Sequence, residues 1–190
     1  MKLSRTLGAA VLVCAATLAL AACGGSDDDA AATAAADALP DLTSQGLVSF
    51  PCGDGAAIGG TFQAPEDPWV AECWKGSPDK TFIDIANASQ DAIMLASGGT
   101  DISADVCPDD AFGVGGGIAC RAVLVTVDGH SAVVRTVAVL ADPGTVLDGL
   151  PDEPTADQVN EALEGAAVEV LVGTQSPTAV ESSSAPSASS

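Results

Sequence analysis

Two β-branched runs around a two-residue turn form the clearest pattern in this sequence. The runs extend from Cys120 to Val127 and from His130 to Leu140, and Asp128-Gly129 separates them. Asp-Gly between two apolar runs is the strongest short-range signal for a β-hairpin. With Val127 opposite His130, both faces of the paired strands are largely apolar near the middle. The pattern therefore predicts that this hairpin lies inside a sheet and not at its edge.

Shorter apolar segments predict the other strands of the sheet. Alternation over Trp69–Trp74, turn residues over Lys75–Lys80 and an apolar run over Thr81–Ile85 together predict a second hairpin. Periodicity does not separate strand from helix for Ala92–Ala96, and the Gly98-Gly99 pair that follows favours a strand. Two further strands are predicted at the ends of the domain, over Gly46–Phe50 and Val168–Val172.

One helix is predicted near the C-terminal end of the domain. Thr155 and Gln158 have the spacing of a capping box, which predicts a helix over Ala156–Glu164. Its predicted buried side chains are Val159, Ala162 and Leu163. Together, the elements predict a β-rich α+β fold: a mostly antiparallel sheet of about five or six strands with one helix, cross-linked by disulfides.

The N-terminal segment has the pattern of a secretory signal. Lys2 and Arg5 give a short basic start, and the segment from Leu7 to Ala22 is apolar apart from glycine and threonine. About sixteen such residues are fewer than the roughly twenty that a membrane-spanning helix needs. The segment is therefore expected to be removed rather than retained.

The end of this segment, Leu20-Ala21-Ala22-Cys23, resembles the lipobox of bacterial lipoproteins. The resemblance covers only Met1–Cys23. It implies that Cys23 becomes the first mature residue and carries a diacylglycerol thioether, commonly with a further acyl group such as palmitate on its amine. Several acyl chains give stable anchoring, whereas one gives only marginal binding. The resemblance therefore implies a lipid anchor on the extracytoplasmic face of the cell membrane.

Composition divides the chain into a signal peptide, a tether, a domain and a tail. Residues 1–22 form the predicted signal peptide, and residues 23–45 form a flexible tether rich in alanine and acidic residues, including Asp27–Asp29. The large apolar side chains lie mainly between Phe50 and Val172, which is enough for a single domain over residues 46–173. Residues 174–190 are mainly Ser, Pro, Ala and Thr and are predicted to be disordered.

Acidic residues dominate the charge of the chain. It has 26 acidic and 6 basic residues, a net charge of -20, and loss of Lys2 and Arg5 with the signal would leave a net charge of about -22. Such a field repels nucleic acid and anionic lipid headgroups and attracts cations or a basic partner. The sequence therefore predicts no nucleic-acid binding. Besides the membrane anchor, it favours an envelope protein or a basic partner.

Four cysteines remain in the predicted domain once Cys14 and Cys23 are excluded. An even number of cysteines in an exported domain indicates disulfides. Four cysteines allow three pairings, which sequence alone does not separate. We favour nearest neighbours, which pair Cys52 with Cys73 and Cys107 with Cys120. A zinc site or redox pair is less favoured, because no two of these cysteines have C-x-x-C spacing.

No catalytic motif is complete in this sequence. His130 is the only histidine, and the segment Gly129–Val133 around it lacks the final glycine of G-x-S-x-G. Ser77 and Lys80 have S-x-x-K spacing, but Pro78-Asp79 between them favours a turn rather than the helix that this chemistry requires. We therefore predict no catalytic residue and no cofactor, and an enzyme is the less favoured interpretation.

Acidic side chains cluster around Cys107, and they are Asp101, Asp105, Asp109 and Asp110. Hard cations take oxygen ligands from such loops, so weak Ca²⁺ binding is a hypothesis for this segment. The spacing is not that of an EF-hand loop. A solvated acidic loop fixed by a disulfide is the simpler interpretation.

These observations favour a binding or scaffolding module anchored by lipid outside the membrane. Two alternatives remain open: an exported hydrolase with an acidic active site, and a cation-dependent adhesion module that uses the Asp101–Asp110 loop. Groups that transfer protons at neutral pH are scarce, which favours binding over hydrolysis. A concave pocket with two convergent buried carboxylates would indicate hydrolysis, whereas an exposed apolar patch on a sheet would indicate a protein partner.

Overall fold

A six-stranded antiparallel sheet organises the part of the chain that the structure describes. The structure is a computed structural model, and it describes residues 35–36, 39–52, 70–112, 117–127, 129–151, 153–175 and 177. The strands are β1 (Val48–Phe50), β2 (Val70–Gly76), β3 (Thr100–Asp101), β4 (Ile118–Val127), β5 (His130–Leu140) and β6 (Val168–Gln175). Their order is β1-β2-β6-β5-β4-β3, and every neighbouring pair is antiparallel. The predicted fold class is confirmed.

Helices connect the strands and cover part of the sheet. They are α1 (Phe82–Ser97), α2 (Ser103–Val106), α3 (Pro143–Leu147) and α4 (Ala156–Leu163), and 3-10 turns lie at Leu42–Gln45 and Asp109–Phe112. The predicted α4 is confirmed, because the Thr155 hydroxyl accepts from the Gln158 N–H at 3.3 Å. The Gln158 side chain in turn accepts from the Thr155 N–H at 2.9 Å.

The central hairpin has the predicted register. Val127 lies opposite His130, Val125 opposite Ala132 and Val123 opposite Val134. β5 pairs with β6 on its other side, and β3 covers only a two-residue stretch of β4. Because apolar side chains alternate to both faces of these strands, the hairpin is stable only where both faces are covered. In the strand order β4 and β5 both have a neighbour on each side, although β3 covers β4 only at Val123 and Leu124.

The predicted strands Thr81–Ile85 and Ala92–Ala96 are wrong, because both segments belong to α1. A capping box begins this helix: the Thr81 hydroxyl accepts from the Asp84 N–H at 3.1 Å, and the Asp84 carboxylate accepts from the Thr81 N–H at 3.4 Å. Gly98 ends the helix in the left-handed conformation, with a φ of 66°. Gly98 therefore caps a helix, and the expectation that Gly98-Gly99 follows a strand is wrong.

One side of α1 is buried along the whole helix. Its buried residues are Phe82, Ile85, Ala86, Ser89, Gln90 and Ile93. The buried positions keep this helical spacing through the polar segment that separates the two apolar runs. Both runs therefore belong to one amphipathic helix and are not two strands. The predicted hairpin with Trp69–Trp74 does not form. β2 pairs instead with β1 and β6.

The face of the sheet on which α1 packs is called here the helix face. Phe82 and Ile85 share its core with Val123 and Val134 of the hairpin and with Trp74 of β2. Trp74 is 6% exposed and buried in this core, whereas Trp69 lies outside the described residues. Two of the aromatic side chains, Trp74 and Phe82, thus belong to the core where the helix meets the sheet.

Both ends of the predicted domain have buried residues beyond the predicted boundaries. On the N-terminal side, Ala35 and Leu42, which fall in the predicted tether, are 1% and 0% exposed and belong to the helix-face core. On the C-terminal side, β6 continues through Thr174 and Gln175. The signal segment, Cys23, Asp27–Asp29 and residues 178–190 lie outside the described residues.

We expect Thr136→Val to stabilise the domain by about 1 kcal/mol. The Thr136 hydroxyl is buried on the helix face, where the side chain is 1% exposed, and it has no hydrogen-bond partner among the described residues. Valine keeps the shape and removes a polar group whose burial without a partner is costly. Urea denaturation of both proteins gives the difference in free energy of unfolding. The control is Thr126→Val at an exposed position of β4, which should change it little. A loss of stability in Thr136→Val would contradict the expectation.

Candidate functional site

The two disulfides lie in one row across the sheet face opposite the helix face, which is called the disulfide face. Cys52 pairs with Cys73 at a Cα–Cα distance of 5.1 Å, and Cys107 pairs with Cys120 at 5.7 Å, as favoured from the sequence. The strand register places Cys73 opposite Leu171, Leu171 opposite Val137, and Val137 opposite Cys120. With strands about 4.8 Å apart, the disulfides are roughly 14 Å from each other. They fix two separate segments to the same face.

Arg135 lies in the next row of the disulfide face. Its register partners are Ala122 on β4 and Gly173 on β6, and Ala71 follows on β2, so its neighbours along the row are all small. The arginine is half-buried, and this burial lowers the pKa of Arg135. The sequence analysis did not select Arg135 as a site residue. The available signal was a single cation inside an otherwise apolar, centrally paired strand.

The first carboxylate of the acidic loop after α1, that of Asp101, has a structural role. The Asp101 carboxylate accepts from the Ser103 hydroxyl at 2.6 Å and from the Ser103 N–H at 2.8 Å, and these bonds hold the pKa of Asp101 below its usual value. The Ser103 oxygen also accepts from the Gln90 side chain at 3.0 Å and from the Ala122 N–H at 2.9 Å. This network connects the loop to α1 and β4.

The other acidic residues of this loop do not form a cluster in the part of the chain that the structure describes. Asp105 and Asp109 are exposed, and the Asp110 side chain lies outside the described part. Among the described residues, no group of three or more His, Cys, Asp or Glu side chains has a geometry that could hold a metal ion. The structure therefore gives no geometric support to the Ca²⁺ hypothesis there.

The described acidic side chains lie at the surface. All of those with assigned burial are exposed except Glu169, which is half-buried. His130, the only histidine of the chain, is exposed at the hairpin turn. Ser77 and Lys80 lie in the turn before α1 and line a shallow polar pocket of about 240 Å³ with Gln45, Pro78 and Asp79. These residues are not on a helix, so they lack the one-turn spacing of an S-x-x-K pair.

A more apolar concavity of about 370 Å³ lies where four strand ends meet, and it is called the strand-end groove. It is lined by Val48, Lys75, Gly76, Ser77, Ala141, Ala167, Val168 and Glu169. These residues come from the beginnings of β1 and β6 and from the ends of β2 and β5. The Ala141 N–H donates to the Ala167 carbonyl oxygen at 2.8 Å and holds two of the contributing segments together. The groove is thus built on hydrogen-bonded backbone.

Val48 is the exposed large apolar residue of the strand-end groove. It is 58% exposed, although β1 places it directly opposite Lys75. The Lys75 ammonium lies 5.0 Å from the centroid of the Phe50 ring, so the lysine lies toward Phe50. Val48, Ala141 and Ala167 give the groove its exposed apolar surface, and Lys75 and Glu169 are its two charged lining residues. We therefore take the strand-end groove as the candidate functional site.

Comparisons with known proteins give no relative. No protein-family model, no curated protein and no solved structure matches this chain. In the part of the chain that the structure describes, none of the helices is long and apolar enough to cross a membrane. The interpretation of the groove therefore depends on its own chemistry.

Proposed function

We propose that this protein is a lipoprotein, held by acyl chains on Cys23 at the extracytoplasmic face of the cell membrane, and that its domain is a binding module for another envelope protein. The observation that carries the binding part is the strand-end groove. Exposed apolar surface beside a sheet is typical of protein interaction sites. The two disulfides support an oxidising location, because such bonds persist mainly outside the cytosol.

The distribution of carboxylates favours this function over hydrolysis. Hydrolysis of glycosides or peptides by acidic groups requires carboxyls in a cavity, where desolvation raises the pKa of at least one of them. Among the described carboxyls, the resolved pKa shifts of Asp41, Asp101 and Asp142 are all downward, and each follows from a hydrogen bond to a neighbouring Thr or Ser. These three carboxylates lie at the surface, and their hydrogen bonds favour the ionised form.

The lipid anchor can be tested directly in cells. In a bacterial host, metabolic labelling with an alkyne-tagged palmitate should label the full-length protein, and Cys23→Ser should abolish both the label and membrane association. The physical reason is that acyl chains contribute about 0.8 kcal/mol per buried CH₂, so losing them removes the dominant membrane affinity. Fractionation into membrane and soluble material measures the result.

A matched control separates the anchor from general damage. Cys14→Ser, inside the predicted signal peptide, should leave labelling and membrane association unchanged, because this residue leaves with the signal. An unlabelled wild-type protein, or a Cys23→Ser variant that stays in the membrane fraction, would contradict the proposed anchor. Turnover of glycoside or peptide substrates by the purified full chain would contradict the binding function and favour the hydrolase alternative.

A further inference from the structure

The strand-end groove lies where the N-terminal segment enters the sheet. Gly76, which lines the groove, approaches that segment so closely that a Cβ at Gly76 would lie 2.9 Å from the Gly46 carbonyl oxygen and 3.2 Å from Leu47 Cδ2. Leu47 is 1% exposed, and the next residue, Val48, lines the groove. The groove therefore borders the segment through which the domain connects to the proposed anchor.

The length of chain before the core limits how far the domain can lie from the bilayer. Ala35 is 1% exposed and belongs to the helix-face core. The 11 residues 24–34 separate it from Cys23. A chain of this length spans about 40 Å at most when fully extended. An acylated Cys23 would thus keep Ala35 within about 40 Å of the membrane, which favours a partner that is itself at the membrane.

The net charge of the chain favours one of the possible occupants of the groove over the others. Anionic lipid headgroups and a second copy of this chain would both meet the field of a protein with a net charge of -20. The two charged lining residues, Lys75 and Glu169, have opposite signs, and the exposed carboxylates Asp142 and Asp79 follow the lining residues Ala141 and Ser77 in sequence. A basic protein segment is attracted by the same field, so it is the occupant that the charge favours.

We propose that the strand-end groove binds an extended segment of an integral membrane protein, exposed on the extracytoplasmic side and bearing Lys or Arg beside apolar residues. This inference rests on the proposed anchor and binding function. Apolar side chains of the segment cover Val48, Ala141 and Ala167, and its basic side chains lie toward Asp79 and Asp142. Burial of the apolar surface supplies affinity, and the charges supply attraction and specificity.

Site-specific photo-crosslinking in native membranes tests this contact. A photoreactive phenylalanine analogue replaces Val48 in the full-length, lipidated protein. The matched position is Leu95, which is 89% exposed on α1 and does not line the groove. We expect an adduct from position 48 and not from position 95, and mass spectrometry should locate it in a Lys- or Arg-bearing extracytoplasmic segment of a membrane protein.

Charge substitutions give a second, independent measurement. Val48→Lys and Ala167→Lys each place a cation in an apolar contact with a basic segment and should weaken co-purification of the crosslinked partner about tenfold, whereas Leu95→Lys should not. Both groove positions are exposed, so thermal unfolding should be unchanged and binding is tested separately from folding. High salt should also weaken binding, because it screens the attraction.

The outcomes separate this inference from the proposed function. Loss of palmitate labelling contradicts the anchor itself. Normal labelling with equal adducts at positions 48 and 95, or with adducts from position 48 to lipid, to a second copy of this chain or to an acidic segment, overturns only the groove inference. Unchanged co-purification in both groove variants also overturns it.

Discussion

Removing both disulfides is expected to lower the free energy of unfolding of the domain by about 6 kcal/mol. In the chain-entropy model, closing loops of 21 and 13 residues stabilises the fold by about 3 kcal/mol each. A domain of this size has a total stability of about 5–15 kcal/mol. Substituting Cys52, Cys73, Cys107 and Cys120 with alanine should therefore remove about 6 kcal/mol, and urea denaturation followed by tryptophan fluorescence measures the loss.

The two single-disulfide variants serve as controls for this result. Each of these variants should lose about half of the stability that the four-cysteine variant loses. The Cys52→Ala/Cys73→Ala variant should lose about 0.4 kcal/mol more than the Cys107→Ala/Cys120→Ala variant, because its loop is longer. Reduction of the wild-type protein with a thiol reagent should reproduce the four-cysteine variant. If the four-cysteine variant loses less than about 1 kcal/mol, the disulfides do not determine the stability of this core.

Phe82→Ala is expected to cost about 3–5 kcal/mol, the largest effect of any single apolar truncation in the domain. Phe82 is 0% exposed, and it is the largest side chain among the fully buried residues. The chain has only 4 Phe, 2 Trp and no Tyr, so the neighbouring Val and Ala side chains leave a cavity when the ring is removed. Urea denaturation measures the change in free energy of unfolding.

Leu95→Ala on the same helix is the matched control for Phe82→Ala. Leu95 is 89% exposed, so its truncation removes little buried area and should change stability by less than about 0.5 kcal/mol. Phe82→Leu, which keeps most of the volume, should lie between the two. Equal losses for Phe82→Ala and Leu95→Ala would show that α1 does not organise the core.

Local patterns predicted those elements whose signals lie within a few residues of each other. The Asp128-Gly129 turn and the flanking β-branched runs gave the register of β4 and β5, and the Thr155 capping box gave α4. Thr81 and Asp84 form the same kind of box, but Asp replaces Glu or Gln at the third position. Without that signal, the apolar run after Thr81 was taken as a strand.

The candidate site could be predicted only in part, because its residues are distant in sequence. The nearest-neighbour cysteine pairing is the one favoured among the three that the sequence allows, and it is confirmed. The strand-end groove combines Val48, Lys75, Ala141 and Val168, which come together only when β6 inserts between β2 and β5. No pattern along the chain specifies that insertion, since strand order depends on tertiary packing.

The position of β6 has a consequence for how the protein is made. β6 is the last strand in sequence, yet it separates the β1-β2 pair from β5, β4 and β3. A nascent chain that lacks residues 168–175 can form the central hairpin, but it has no pairing between the two halves of the sheet. Such long-range pairing is slow compared with local structure. The sheet is therefore completed only after synthesis reaches its C-terminal strand, which suits a polypeptide that is proposed to cross a membrane before it folds.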